Sequence, residues 1–380
     1  MLTRLDLEHF KCFERLKLPL GSMTLLAGTN AAGKSSILQA MVLLHQTMKL
    51  NEWSTHLLLN GDELQLGTVQ DIVDKVHGRL GFRLGLVDED RVVEWTFRTD
   101  ERQAMSADVA AVTINGARHD APLRLHFLLP PDDDKATQLL AKRMSGLSYL
   151  SAERVGPRDV YSLADPLTTQ VVGSRGEHTT SLLHWARDEA VSASLVRQGH
   201  PPRLLAQVSA RMDQFFPGCS IDVQRILSTN GVSLGIRTSN ETDFHRPVHV
   251  GFGLTQVLPV IVAAMSSTPG DLLLVENPEV HLHPAGQAMM GHFLAEVAAA
   301  GTQVILETHS DHVLSGVRRA VKSGATPSEC VRLHFFRDRT LGGDQVVSPL
   351  IDNEGNIDHW PDGFFDQFDK DMNHFAGWEN

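Results

Sequence analysis

The sequence predicts an α/β fold built on a phosphate-binding loop, with a mixed central sheet, flanking helices, an antiparallel β-subdomain and a helical insert. Three stretches carry that reading. Residues 23 to 48, MTLLAGTNAAGKSSILQAMVLLHQTM, pass from an apolar strand through a glycine-bounded loop into a helix-period segment. Residues 272 to 284, LLLVENPEVHLHP, form a buried-type strand that ends in carboxylates. Residues 302 to 310, TQVILETHS, form a third strand that ends in a histidine.

Gly28, Thr29, Asn30, Ala31, Ala32, Gly33, Lys34 and Ser35 fit G-x-x-x-x-G-K-[ST], with Ser36 following in the first helical turn. The two glycines let the backbone turn tightly enough for its N–H groups to converge on one anion. The helix that begins near Gly33 adds unpaired N–H groups and the positive end of its dipole. Lys34 suits the β- and γ-phosphates, and the Ser35 hydroxyl suits the Mg²⁺ shell. Ile37, Leu38, Met41, Val42 and Leu44 supply the apolar face that seats the helix.

In 380 residues, 42% apolar content is enough for a large core. Cys12, Cys219 and Cys330 lie far apart with no C-x-x-C pair, which argues against a zinc ribbon or a disulfide framework and for a reducing cytoplasm. The N-terminus, MLTRLDLEHFKCF, has no apolar signal region, and no run approaches the ~18 apolar residues of a membrane span. The net charge is −12, and residues 352 to 380 alone hold eight acids and one Lys. A bulk negative field discourages nonspecific nucleic-acid binding, while a local basic groove would still act within about 10 Å. Nucleic-acid contact is therefore unsupported by charge.

In chain order, residues 2–10 and 16–20 read as two strands ahead of the loop strand, forming a hairpin. Residues 57–73 are turn-rich, and their Gln65 and Gln70 are candidates for sensing a γ-phosphate against the ordinary reading of surface glutamines. Strand-like runs at 91–98, 110–114 and 123–129 suggest an antiparallel sheet. A Pro-Pro-Asp-Asp-Asp break at 130–134 precedes a helix over 136–145 and a strand-to-turn segment over 147–157. Arg154 and Arg158 at that turn are candidates for phosphates or a facing subunit, the plain alternative being solvated arginines. Residues 179–215 read as an amphipathic helical insert whose arginines, among them Arg197 and Arg211, are solvated. Strands follow at 220–226 and 231–237, then Gly251 and Gly253 open a helix-like run over 249–262. These divisions give a nucleotide lobe with its antiparallel subdomain (1–135), an insert with connecting strands (136–245), a second lobe (246–345) and an acidic aromatic extension (346–380).

Glu276 ends its strand at the edge where open α/β sheets bind ligands, and Glu279 lies three residues on. Carboxylates there suit Mg²⁺ coordination and polarisation of an attacking water. His281 and His283 supply only two ligands without a partner pair, so a structural or interface role is expected of them. His309, at the end of the third strand, is placed to bond a γ-phosphate or the attacking water. About 240 residues separate Lys34 from Glu276, far beyond the ~30 of one βαβ unit, so a large insertion divides the site.

Taken in order, GTNAAGKSS, VGFGLTQVLP, VENPEVHLHP and ETHSDHVL resemble the Walker A, signature, Walker B with D-loop, and switch-histidine segments of ABC-type ATPase heads. The group is that of RecF, structural-maintenance-of-chromosomes (SMC) and overcoming-lysogenisation-defect (OLD) proteins. The ending NIDHWPDGFFDQFDKD is similar to a C-terminal domain of unknown function on stand-alone members. The resemblance implies an ATP- and Mg²⁺-dependent homodimer or higher oligomer. Each ATP would lie between Gly28 to Ser36 of one subunit and Gly251 and Gly253 of another, with Ser35 and Glu276 on the metal and His309 as switch histidine. Two departures stand out. The usual Asp-Glu pair is Glu276-Asn277, and an amide orients water but does not accept its proton; Glu279 is the substitute base, or turnover is slow. The signature lacks its first serine, leaving Thr255 and Gln256 as side-chain ligands. The chain runs about 70 residues past His309, too few for the nuclease domain of OLD proteins, so a separately encoded effector, such as a nuclease, is expected in DNA repair or antiphage defence. A nonhydrolysing nucleotide-gated scaffold is the alternative. Of the tail aromatics Trp360, Phe364, Phe365, Phe368, Phe375 and Trp378, packing against the head is expected, because six exposed aromatics endanger solubility.

Overall fold

In the computed structural model of the chain, the described residues are 1–74, 80–89, 91–122, 124–131, 134–239, 241–338, 342–365 and 367–376. The first third comprises β1 (Leu2–Phe10), β2 (Phe13–Pro19), β3 (Met23–Gly28), α1 (Lys34–Leu50), β4 (His56–Leu58), α2 (Val69–Ile72), β5 (Gly81–Asp88), β6 (Arg91–Arg98), β7 (Ser106–Ile114) and β8 (Ala117–Asp120). Then come α3 (Lys135–Ser145), β9 (Ser148–Leu150), β10 (Tyr161–Ser162), α4 (Thr179–Trp185), α5 (Leu204–Phe215), β11 (Ser220–Ile226) and β12 (Gly231–Arg237). The last third comprises α6 (Phe252–Ser266), β13 (Leu272–Glu276), α7 (Pro284–Ala299), β14 (Gln303–Glu307), α8 (Asp311–Lys322), β15 (Val331–Phe336), β16 (Val346–Val347) and α9 (Gln367–Phe375).

The strands with near-continuous apolar sequence form the central sheet, in the order β16-β15-β3-β14-β13-β9. All its pairings are parallel except the one between β15 and β16. Such strands need cover on both faces. On one side α6, α7 and α8 bury Val260, Ile261, Phe293, Leu294, Val313 and Val317 against Leu25, Leu273, Val275, Val304 and Leu306. On the other, α1 packs Ile37, Leu38, Met41 and Leu44 against Leu26, Leu274 and Ile305. Gly291 of α7 and Gly316 of α8 set the separation of those helices, since a Cβ on either would collide with the other helix's backbone.

A second, antiparallel sheet runs β2-β1-β5-β6-β7-β4, with β8 on β7. Its strands alternate, so that Leu5, Leu7, Phe82, Leu84, Leu86, Val93, Trp95 and Phe97 face α1 and share its core. The insert is a small sheet, β10-β12-β11, with α4 and α5 packed beside α6.

Four expectations need correction. The second strand starts at Phe13 rather than residue 16, pairing Phe10 with Phe13 across a two-residue turn. No strand covers 124–129, and residue 123 lies outside the described residues; Phe127 and Leu128 adopt φ 50° and 56°, and the Leu128 carbonyl accepts the Trp95 indole N–H at 2.7 Å. That run instead buries Leu125, Leu128 and Leu129 in the core shared by α1 and the antiparallel sheet. The insert's arginines divide: Arg187 and Arg203 are exposed, but Arg211 is buried, pairs with Glu296 at 3.1 Å and covers the Phe293 ring, while Arg197 donates to the Ala210 carbonyl at 2.6 Å. The tail aromatics divide. Phe364 is fully buried against Phe335, with Trp360 and Phe365 stacked around it, and Arg318 lies over Trp360. Phe375, by contrast, is 82% exposed. The Phe368 side chain and Trp378 lie outside the described residues. No helix among the described residues is long and apolar enough to cross a membrane.

Candidate nucleotide-binding site

The chain leaves β3 at Gly28 with φ 135° and enters α1 from Gly33 with φ 107°. Both positions require glycine twice over, because a Cβ at Gly28 would strike the Phe336 backbone and one at Gly33 would strike Cys12 and Phe13. Between them Ala31 is also left-handed, at φ 61°. The Thr29 amide donates to Phe336 O at 3.1 Å, and the Ala32 carbonyl accepts from Gln345. Gly33 caps α1 without a side-chain bond, so the helix start presents backbone donors. Lys34 is buried and folds back over the loop, its Nζ donating to Gly28 O at 3.0 Å and Thr29 O at 2.7 Å. Burial holds its ammonium below the usual lysine range, against the opposing pull of Glu307.

This loop forms a cavity of about 350 Å³ with Asn30, Ser35, Ser36, Lys11, Cys12, Glu307 and His309 in its lining. Lys11 and Cys12, from the β1–β2 turn, and Glu307 escaped the sequence reading. The pointer to the turn was F-K-C-F, a basic residue between two strands that lead into the loop strand.

Glu276 and Glu307 end neighbouring parallel strands in direct register. Glu307 accepts the Ser35 hydroxyl at 3.0 Å, while its other oxygen is buried without a hydrogen-bond partner. Burial, reinforced by the charge of Glu276, pushes its carboxyl up to about 7. Glu276 is on the same face one strand further out and is turned to β9, accepting from the Tyr149 hydroxyl at 2.8 Å and the Ala152 amide at 3.1 Å. Burial and then Glu276 raise the Tyr149 phenol, keeping it a donor. Arg154 is only 6% exposed, so it is no solvated turn arginine; it donates to the carbonyls of Glu276 and, at 3.2 Å, Asn277. Burial brings its guanidinium down to about 10, opposed by Glu279 and Glu276. Arg158 is exposed at the same turn.

Asn277 turns the chain with φ 43°, donates its amide to Glu307 O at 2.8 Å and leaves its side-chain oxygen buried and unpaired. Glu279 accepts the His309 amide at 2.9 Å through one oxygen, and the other is buried and unpaired. The His309 ring is exposed and lines the cavity, its imidazole held below the usual range by burial and then by Lys34. His283 caps α7, and His281 stands edge-on to Phe252. Gln65 bridges to Asn60 and Gln70 is exposed on α2; neither lines the cavity.

The signature-like helix α6 starts at an exposed Gly251, and Phe252 is 45% exposed. Gly253 packs against the His281 carbonyl, 2.9 Å from where a Cβ would sit. Thr255 and Gln256 are turned inward, to Phe252 O and to the carbonyls of Arg154 and Val155, so they act within the chain rather than as open ligands. Gly251 and Gly253 do not line the loop cavity.

Loop, carboxylate strands and histidine on one sheet edge define the class, a P-loop nucleoside-triphosphatase head. Residues 1–100 match the family described as "AAA ATPase domain", residues 147–315 "AAA domain, putative AbiEii toxin, Type IV TA system", and residues 327–374 "Protein of unknown function (DUF3696)". An OLD nuclease of Thermus scotoductus (strain ATCC 700910 / SA-01) is 49% identical over 43 residues, which is 11% of this chain and 8% of that protein's length. The SmcHead bound to the C-winged helix domain of ScpA has a TM-score of 0.54 at 17% identity, over 92% of this chain and 98% of that one. An Smc head domain with an extended coiled coil, bound to the C-terminal domain of ScpA derived from Pyrococcus furiosus, also gives 0.54, at 13% identity over 100% and 99%. The solved structures carry the fold. Together with the domain matches they give this chain the fold of the Smc heads, ATPase-type domain segments over residues 1–100 and 147–315, and a C-terminal DUF3696 segment.

Proposed function

We propose that the chain binds ATP with Mg²⁺, closes head to tail with a second copy around it, hydrolyses it slowly, and thereby regulates a separately encoded effector. One observation carries the reading: the loop cavity holds Lys34, Ser35, Glu307 and His309, while Gly251 and Phe252 open α6 on an exposed surface outside that cavity. A chain so arranged offers both halves of a nucleotide sandwich but does not close them on itself. The residues fit a nucleotide triphosphate. The loop offers backbone donors, the Lys34 ammonium can exchange two carbonyls for phosphate oxygens, and the Ser35 hydroxyl and the unpaired Glu307 oxygen suit a hard dication. When bound, Mg²⁺ neutralises charge on the β- and γ-phosphates.

Asn277 orients water without accepting its proton, and the unpaired oxygen of Glu279, whose other oxygen accepts the His309 amide, is the substitute base. Hydrolysis limited by that base is slow, and ATP acts chiefly as a dimerising switch. The effector, a nuclease or another nucleic-acid enzyme in repair or phage defence, is argued by analogy with the OLD nuclease and the ScpA-bound Smc heads. Asn277 also favours a second reading, a scaffold that closes on ATP without turnover. Turnover and mass by light scattering, in the same samples with and without ATP and Mg²⁺, separate the two. Slow turnover, an ATP-promoted dimer, loss of both in Lys34→Ala and a trapped dimer in Glu279→Gln support the enzyme. A tight ATP-dependent dimer with no turnover supports the scaffold.

A further inference from the structure

Two carboxylates end neighbouring strands beside the phosphate loop, and they are differently engaged. β14 lies directly against β3, with Glu307 paired to Leu26, whereas β13 is one strand further out, by about 4.8 Å. Glu307 Oε1 meets the Ser35 hydroxyl, and Oε2 is buried with no hydrogen-bond partner in a side chain only 6% exposed. Both oxygens of Glu276 are already taken, by the Tyr149 hydroxyl and the Ala152 amide. A hard dication beside Ser35 takes a carboxylate oxygen, and the one that is buried without a partner in the strand next to the loop belongs to Glu307, whereas each Glu276 oxygen already accepts a hydrogen bond. Buried polar atoms are ordinarily satisfied, so the vacant Glu307 oxygen marks a place where a cation is accommodated.

We propose that Glu307, rather than Glu276, is the protein carboxylate that holds the Mg²⁺ of bound nucleotide beside Ser35. Glu276 is then a positioning residue whose carboxylate fixes Tyr149 and the turn after β9. The assignment rests on the ATP-binding reading above. It also places the metal carboxylate two residues before His309, so that metal engagement and the switch histidine share one strand end.

The test is equilibrium binding of a fluorescent ATP analogue in EDTA and in Mg²⁺, with Mn²⁺ binding to the ATP complex followed by electron paramagnetic resonance. The proteins are wild type, Glu307→Gln, Glu307→Asp and Glu276→Gln, each checked by thermal melting. Glu307→Gln should bind ATP in EDTA as the wild type does, yet lose about tenfold or more of the Mg²⁺-dependent gain and of Mn²⁺ affinity. Glu307→Asp should restore part of both, and Glu276→Gln should keep both within about threefold. The assignment is overturned if Glu276→Gln loses the metal-dependent gain while Glu307→Gln keeps it, or if neither variant changes it. Wild type that binds no analogue in either buffer overturns the nucleotide reading itself, a different result from an analogue bound equally in both.

Discussion

The edge of the central sheet has two sides, built on opposite terms. On the loop side, β3 and β14 bring Lys34, Ser35 and Glu307 together around a cavity, with an ammonium resting on its own loop's carbonyls and a carboxylate oxygen left vacant. On the signature side, β13 and β9 join Glu276 to Tyr149 and Ala152, and Arg154 to the carbonyls of Glu276 and Asn277. The same residue types thus line a cavity on one side and tie strand ends to one another on the other.

Substitutions on the two sides should differ in kind. The largest stability effect is expected from Arg154→Ala, which strips two strand-end carbonyls of a buried donor and should cost about 3 to 4 kcal/mol in chemical denaturation. A loss below about 1 kcal/mol would put Arg154 on the ligand side instead. Lys34→Ala should do the reverse, weakening ATP binding about 100-fold in a calorimetric titration while leaving the melting temperature nearly unchanged.

The loop side is satisfied away from its tip, and pH checks this. His334 on β15 is buried, with one ring nitrogen on the Ser348 hydroxyl and the other donating to Pro19 O; burial holds its pKa at about 4. The folded value is depressed, so the neutral form is the one the fold keeps. This stability is intact above about 6.5 and is lost as pH falls toward 4, by up to about 3 kcal/mol. Denaturation at pH 7.5 and 4.5 should show a steeper loss in wild type than in His334→Gln; equal losses would contradict it.

The smallest effects sharpen the contrast most. Glu307→Gln relieves a buried like-charge neighbour and should raise the stability of the nucleotide-free protein by about 1 kcal/mol. Glu276→Gln weakens two bonds to a half-buried acceptor and should lower it by about 1 kcal/mol. Thermal melts of the pair check the opposite signs.

Local causes were legible in the sequence and long-range ones were not. Gly28, Gly33, Lys34 and Ser35 declare their tasks within eight residues, and the apolar runs of β3, β13 and β14 declare a parallel sheet. Glu307 reads in sequence as the last residue of an apolar strand; its meeting with Ser35 depends on β14 lying beside β3, a pairing of residues about 280 apart in the chain. The run at 124–129 has strand composition, but tertiary packing under Trp95 overrides it. Arg154 and Arg211 looked solvated because nothing local reveals the carbonyls and the Glu296 carboxylate that receive them.

The most direct test of a site composed from two chains is complementation. Lys34→Ala disables the loop half. Gly251→Glu disables the signature half without disturbing the chain that carries it, since φ there is −58° and the nearest atom to a new Cβ is Leu254 Cδ1 at 3.5 Å. ATP turnover is measured for each variant alone and for their mixture. The account predicts that neither variant hydrolyses ATP alone and that the mixture does, because a mixed dimer rebuilds one intact site. A mixture no more active than its two components would contradict it.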